Sequence, residues 1–257
     1  MPTEASIAGN RPLQFAGVKF SPLDEQAVIA QIQSRRKGSF TYCVTPNVDH
    51  IVTLHGKGAS PAAQEFRLAY RDAALCLCDS RIVQKLAALS GVRLPLVTGS
   101  DLTARIFQEV LTDQDRIAVI GGSERSLDRL AALYPGLSIR HHIPPMGALQ
   151  KPDAIKDIIR FLQESRPTVT LFVIGAPQSE IIARQVAMAG GVTGIALCVG
   201  ASIEFLTGDK KRAPRWVRKI GMEWVFRLLS EPRRLWKRYL YYGPRIFLIA
   251  WRTRKDA

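Results

Sequence analysis

What most constrains this chain is a repeated alternation of short, wholly apolar runs with longer amphipathic ones. The clearest unit is RIAVIGGSERSLDRLAALYPG: an apolar run from Arg116, a glycine pair at Gly121 and Gly122, an amphipathic stretch opened by Ser123, and a stop at Pro135-Gly136. TVTLFVIGAP running into SEIIARQVAMAGG repeats the pattern, and TGIALCVGA begins it again. A strand without polar alternation has no face to give to water, so both of its faces must be covered. Strands separated by helices pair through crossovers rather than hairpins, which makes the pairing parallel. The expectation is an α/β fold: a Rossmann-like, mostly parallel sheet with helices on both faces.

The first half fits the same scheme. Val18 to Phe20 reads as a short strand, and Ser21-Pro22 opens a helix reaching about Arg35. SFTYCV is a strand ending in Thr45-Pro46-Asn47, where Asn47 caps a short helix through VDHIVTLH, and Ser60-Pro61 opens the next helix. AALCLC is a strand ending on Asp79-Ser80, followed by the helix RIVQKLAALSG and then a helix over residues 101–111 capped by Ser100. SIRHHI adds a strand and residues 153–163 a helix; the N-terminal start reads as loose. At 257 residues and 47% hydrophobic content the chain has enough apolar surface for one large core.

Several function classes drop out. No apolar run reaches the ~18–20 residues of a membrane span, and the N-terminus has no basic-then-apolar signal pattern, so a cytoplasmic location is expected. Cys43, Cys76, Cys78 and Cys198 lie in apolar runs without metal or redox spacing, and His50, His55, His141 and His142 form no zinc pattern. Neither a metal nor a cofactor is expected. The one Asp-x-Asp, Asp113-Gln114-Asp115, precedes a strand and so lies at the sheet's amino edge, where it reads as a solvated loop.

Ligands of open α/β sheets bind beyond the carboxyl ends of the strands. Glycine between a strand and a helix lets backbone N–H groups approach a phosphate. Gly121, Gly122 and Ser123, together with Gly175 and Pro177, stand at such places and are the candidate nucleotide contacts, with simple turns as the bland alternative. Asp79 follows an apolar strand at the same edge, where a general base and a helix cap are equally consistent with its position.

The C-terminal fifth is different in kind. Between Asp209 and Asp256 there are fifteen Lys/Arg against four Asp/Glu, most of the overall net charge of +14, and all four tryptophans. Trp216, Ile220, Trp224 and Leu228 recur every four residues, as on one helical face, until Pro232 starts a second helix. That helix stacks Arg233 over Lys237 and Arg234 over Arg238, like-charge pairs costing roughly 0.2–0.5 kcal/mol each unless an anion offsets them. The segment expects an anionic, partly apolar partner, an acidic membrane surface above all. A solvated basic hairpin, or a nucleic-acid-binding surface with stacking tryptophans, is the alternative. The chain thus divides into a core over 1–207 and a helical appendage over 208–257.

The run KRAPRWVRKIGMEWVFRLLSEPRRLWKRY resembles the C-terminal signature of the WecG/TagA/CpsF bacterial glycosyltransferases: a basic RAP, Gly-x-Glu-Trp, Arg-Leu, Glu-Pro-x-Arg. Upstream matches appear in order over roughly residues 15 to 240. They are Thr45-x-Asn47, Asp79 with Ser80 where members have glycine, Gly99 to Leu102 as GSDL, and Gly175 to Glu180 as GxPxQE with Ser179 for the glutamine. Leu96 stands where members often carry arginine, and Ile203-Glu204-Phe205 where they have Phe-Asp-Phe. The resemblance implies an inverting, metal-independent hexosyl- or N-acetylhexosaminyltransferase. Its donor would be a nucleotide sugar, a UDP sugar, and its acceptor a polyprenyl-diphosphate-linked saccharide, in exopolysaccharide or other surface-glycan biosynthesis. It further implies Asp79 as catalytic base with Thr45 and Asn47 beside it, and Glu180 in the donor site; the counter-charge a leaving diphosphate needs is expected from the basic tail, through Arg212, Arg227, Arg233 and Arg234, which can pair with phosphate oxygens bidentately. The tail would cover the active site on the inner face of the cytoplasmic membrane, with no nucleic acid involved. A non-catalytic scaffold of the same fold, and a homo-oligomer, stay open.

Overall fold

The computed structural model describes residues 11–56 and 60–253. Two short strands, β1 (Leu13–Phe15) and β2 (Val18–Phe20), pair antiparallel around Ala16-Gly17, where both residues have positive φ. The first of these strands lies in a stretch whose sequence reads as loose. Helix α1 (Glu25–Arg35) starts later than Ser21-Pro22 because Ser21 is held by Cys76: its N–H donates to the Cys76 carbonyl and its Oγ accepts from the Cys76 N–H. Asp24 caps the helix instead, accepting from Ala27 N.

The sheet strands are β3 (Thr41–Val44), β4 (Leu75–Cys76), β5 (Arg116–Ile120), β6 (Ser138–His142), β7 (Val169–Phe172) and β8 (Ile195–Cys198). They run in the order β4-β3-β8-β7-β5-β6, all parallel. The helices between them are α2 (Val48–Leu54), α3 (Pro61–Asp72), α4 (Arg81–Leu89), α5 (Gly99–Arg105), α6 (Glu124–Leu133), α7 (Pro152–Ser165) and α8 (Gln178–Ala189). The expected α/β architecture is therefore present. Along β5, Ile117 and Val119 join one apolar layer while Ala118 and Ile120 join the layer on the other face. That two-sided burial is why these runs carry no polar alternation.

Two further boundaries and one burial differ from expectation. The AALCLC strand is paired only over Leu75–Cys76, with Cys78 bridged singly to Leu96, because it is the sheet's edge. The helix expected to start at Asp101 starts at Gly99, since Thr98 rather than Ser100 supplies the cap by accepting from Asp101 N, and it ends in a π turn over Ile106–Val110. Asp115 is buried rather than solvated: it pairs with Arg36 and accepts from Thr112 and Thr168, fastening the amino edge of β5, while Asp113 stays exposed. The four cysteines are free and buried, as expected.

After β8 come α9 (Ser202–Leu206), α10 (Arg215–Ile220), α11 (Glu223–Ser230), α12 (Pro232–Trp236) with a π turn over Lys237–Tyr242, and α13 (Arg245–Thr253). Gly221, at φ 84°, breaks the run between α10 and α11. The four-residue repeat from Trp216 to Leu228 consequently does not form one face: Trp216 is exposed, whereas Trp224 turns inward. Pro232 occupies the first turn of α12 as expected. Leu235, Ile246 and Ala250 are buried, α13 packs on α2 and α4, and the tail returns across the carboxyl edge of the sheet.

Candidate active site

β5 connects outward to β6 while its neighbour β7 connects the other way, to β8, and such a divergence opens a crevice at the carboxyl edge. The turns after these two strands close on each other. Gly121, at φ 94°, has no room for a Cβ, which would strike the Ile174 side chain. Gly121→Ala is therefore expected to lose more than about 1 kcal/mol of stability in a denaturant titration. An unchanged midpoint would show that the two turns can separate.

A cavity of about 970 Å³ lies along this edge, a size suited to a small-molecule ligand. Its floor comes from the strand ends: Thr45 and Asn47 after β3, Asp79 and Ser80 after β4, Gly122 after β5, Gly175 after β7, and Cys198 through Ser202 after β8. Its roof is the tail, through Trp224, Arg227, Arg238, Tyr239, Pro244 and Phe247.

Asp79 is half-buried on the floor and accepts from Gly99 N at 2.9 Å. Burial pushes its carboxyl up to about 7, against the pull of the Gly99 N–H and Arg227, with Glu223 and Asp101 adding to the rise. The helix-cap alternative does not hold, because Ser80 caps α4 by accepting from Val83 N. Thr45 Oγ1 donates to the Cys198 carbonyl at 2.8 Å and ties β3 to β8. Asn47 caps α2 with its Oδ1, which leaves the amide Nδ2 as the donor for a ligand. Glu180, in the first turn of α8, is buried, and its carboxyl is also raised to about 7 by burial.

Of the candidate arginines, the structure brings Arg227 to the cavity. It pairs with Glu223 at 2.9 Å and lies 4.9 Å above the Phe205 ring. Arg212 stands behind the wall, held by Asp101 and Ser100 at 2.8 Å each. Arg233 is exposed away from the cavity, and the Arg234 side chain lies outside the described residues. Gly121, Ser123 and Pro177 also stand behind the lining: Ser123 caps α6, and Ser126 takes its place at the wall. Leu96, Ser179 and Glu204 all line the cavity.

The sequence over residues 13–257 matches the Glycosyl transferase WecG/TagA/CpsF family. The chain belongs to this family. As a glycosyltransferase it acts on a sugar donor and an acceptor. Two further residues line the cavity of this transferase without having been among the candidate site residues: Arg238, whose Nε lies 3.2 Å from Asp49 Oδ2, and Ser202 at the start of α9. Arg238 carried a visible signal, its four-residue spacing from Arg234. Ser202 carried none.

Proposed function

We propose that this transferase moves a hexosyl or N-acetylhexosaminyl group from a UDP sugar to a polyprenyl-diphosphate-linked saccharide, with inversion. Asp79 takes the proton of the acceptor hydroxyl; Arg227, with Arg238 lining the same cavity, meets the charge that grows on the departing diphosphate. The observation that carries this reading is a carboxyl of about 7 facing the same cavity as a guanidinium that itself interacts with it. A base of that strength is half-ionised near neutral pH, where proton abstraction works best. Thr45 and Asn47 position ligand. The two carboxylates of the Asp-x-Asp lie at the opposite edge, Asp115 fully engaged there, so they take no part. The experiment is a product mass on a polyprenyl-diphosphate-saccharide incubated with a panel of UDP sugars. An added hexosyl or N-acetylhexosaminyl mass supports the reading, and turnover confined to acceptors without a diphosphate lipid would refute it.

The same reading places the tail on the inner face of the cytoplasmic membrane, as part of surface or exopolysaccharide synthesis. Trp216, Leu229, Trp236, Tyr241, Phe247 and Trp251 expose large apolar surface on a strongly basic segment, a composition suited to an acidic interface. Among the described residues no helix is long and apolar enough to cross a membrane. The full chain is expected to float with anionic vesicles and not with neutral ones, and to release as salt rises, since each Lys or Arg near the surface contributes about 1 kcal/mol. Tight binding to DNA or RNA in salt, with no vesicle binding, would instead favour a nucleic-acid surface.

A further inference from the structure

His50, on α2, lines the cavity beside Asn47 and Asp49 and is 9% exposed. Its Nδ1 lies 2.9 Å from the hydroxyl of Tyr70 on α3, and its ring meets those of Phe66 and Tyr70 edge to face. A phenol held in this way has to place its hydrogen, and His50 is its partner among the described residues, so Tyr70 donates to Nδ1. A neutral imidazole that accepts at one nitrogen donates at the other. Nε2 therefore carries the ring hydrogen and is the nitrogen left for a ligand. Burial, with the Arg238 charge adding to it, pushes the imidazole down to about 3, so the ring keeps this form.

The surroundings of that N–H select the ligand. α2 packs on the π turn over Lys237–Tyr242, and Asp49 holds Arg238 beside it through a contact made at Nε. The terminal nitrogens of Arg238, which also lines the cavity, are left for another acceptor. A ring N–H and a guanidinium at one end of a cavity are matched together by phosphate oxygens, which accept several hydrogen bonds and carry the charge a guanidinium pairs with. A sugar hydroxyl would satisfy the N–H alone. Two diphosphates take part in the proposed reaction, the donor's and the acceptor's, and each offers such oxygens.

We propose that His50 is a diphosphate-binding residue of this cavity: it donates through Nε2 to a phosphate oxygen that Arg238 also holds, and Tyr70 is the positioning residue that fixes its tautomer. This inference rests on the reading of the cavity as a site for diphosphate ligands.

The test is calorimetric titration of the full chain with UDP and with farnesyl diphosphate, in the wild type and in two variants of His50. The amide nitrogen of glutamine reaches about as far as Nε2, whereas that of asparagine reaches only as far as Nδ1. His50→Asn thus keeps a partner for Tyr70 and removes the donor from the cavity. It is expected to weaken one of the two ligands by at least about tenfold, the usual cost of losing a hydrogen bond to a charged group, while His50→Gln stays near the wild type. Loss confined to UDP assigns His50 to the leaving diphosphate, and loss confined to farnesyl diphosphate assigns it to the acceptor's. A proton–nitrogen NMR correlation of the wild-type imidazole, which needs no variant to fold, should show the hydrogen on Nε2. A hydrogen on Nδ1, an asparagine variant that binds both ligands as the wild type does, or a glutamine variant as weak as the asparagine one overturns this inference alone. A wild-type chain that binds neither ligand overturns the reading of the cavity, and this inference with it.

Discussion

Asp79→Asn is expected to lower turnover by about 10²–10⁴ while the protein melts as the wild type does. The amide keeps the shape of the carboxyl and can still accept from Gly99 N through its oxygen, so the hydrogen bond that orients the group survives. What it cannot do is take a proton. The same assignment fixes the pH dependence. A group raised to about 7 is protonated and inactive below that value and ionised above it, so kcat/KM for the wild type should climb through about pH 7 and level off at higher pH. A folded Asp79→Asn protein with wild-type turnover would require the base to be sought elsewhere, and Glu180, with a carboxyl also near 7, would be next.

The second large effect belongs to the roof. Arg227→Ala is expected to cost about 10²–10³ in turnover on a soluble acceptor analogue, the magnitude typical of removing one preorganised donor from developing charge. Arg227 is set up for this role by Glu223 and the Phe205 ring, which fix the guanidinium over the floor before any ligand arrives. Vesicle binding should fall little, because the segment holds fifteen basic residues and loses one. Deleting the chain after Thr207 removes this group and the exposed aromatic residues together, so most activity and all vesicle binding should go. It also uncovers the apolar surface of α2 and α4 against which α13 packs, which makes the point variant the cleaner experiment. If Arg227→Ala turns over at the wild-type rate, the diphosphate is stabilised by other groups, Arg238 first among them.

How much of this the sequence reveals depends on how local each cause is. The glycine turns after β5 and β7 are legible because positive φ and close approach both demand glycine, and Gly121 meets both demands. The buried strands are legible because their two-sided burial is written as unbroken apolar runs. Asp79 could be placed at the carboxyl edge by the same logic, although ruling it out as the cap of α4 needed Ser80 to be seen doing the capping. The tail was harder. Periodicity alone joined Trp216 to Trp224, whereas the left-handed Gly221 between them turns one outward and the other over the cavity. Asp115 is buried because Arg36 and Thr168, far off in sequence, converge on it, and no local pattern announces that. Ser202 is in the same position: it reaches the cavity through the packing of distant segments.

The measurement that tests the central claim most directly is the anomeric configuration of the product, read by NMR from the coupling across the new glycosidic bond. A single base on the floor and a leaving diphosphate beneath the roof give one direct displacement, which inverts the α-anomer of a UDP sugar to a β-linked product. A product that keeps the donor's configuration would contradict the account, since retention asks for a double displacement or for attack from the leaving-group side, and Asp79 acting as base supplies neither.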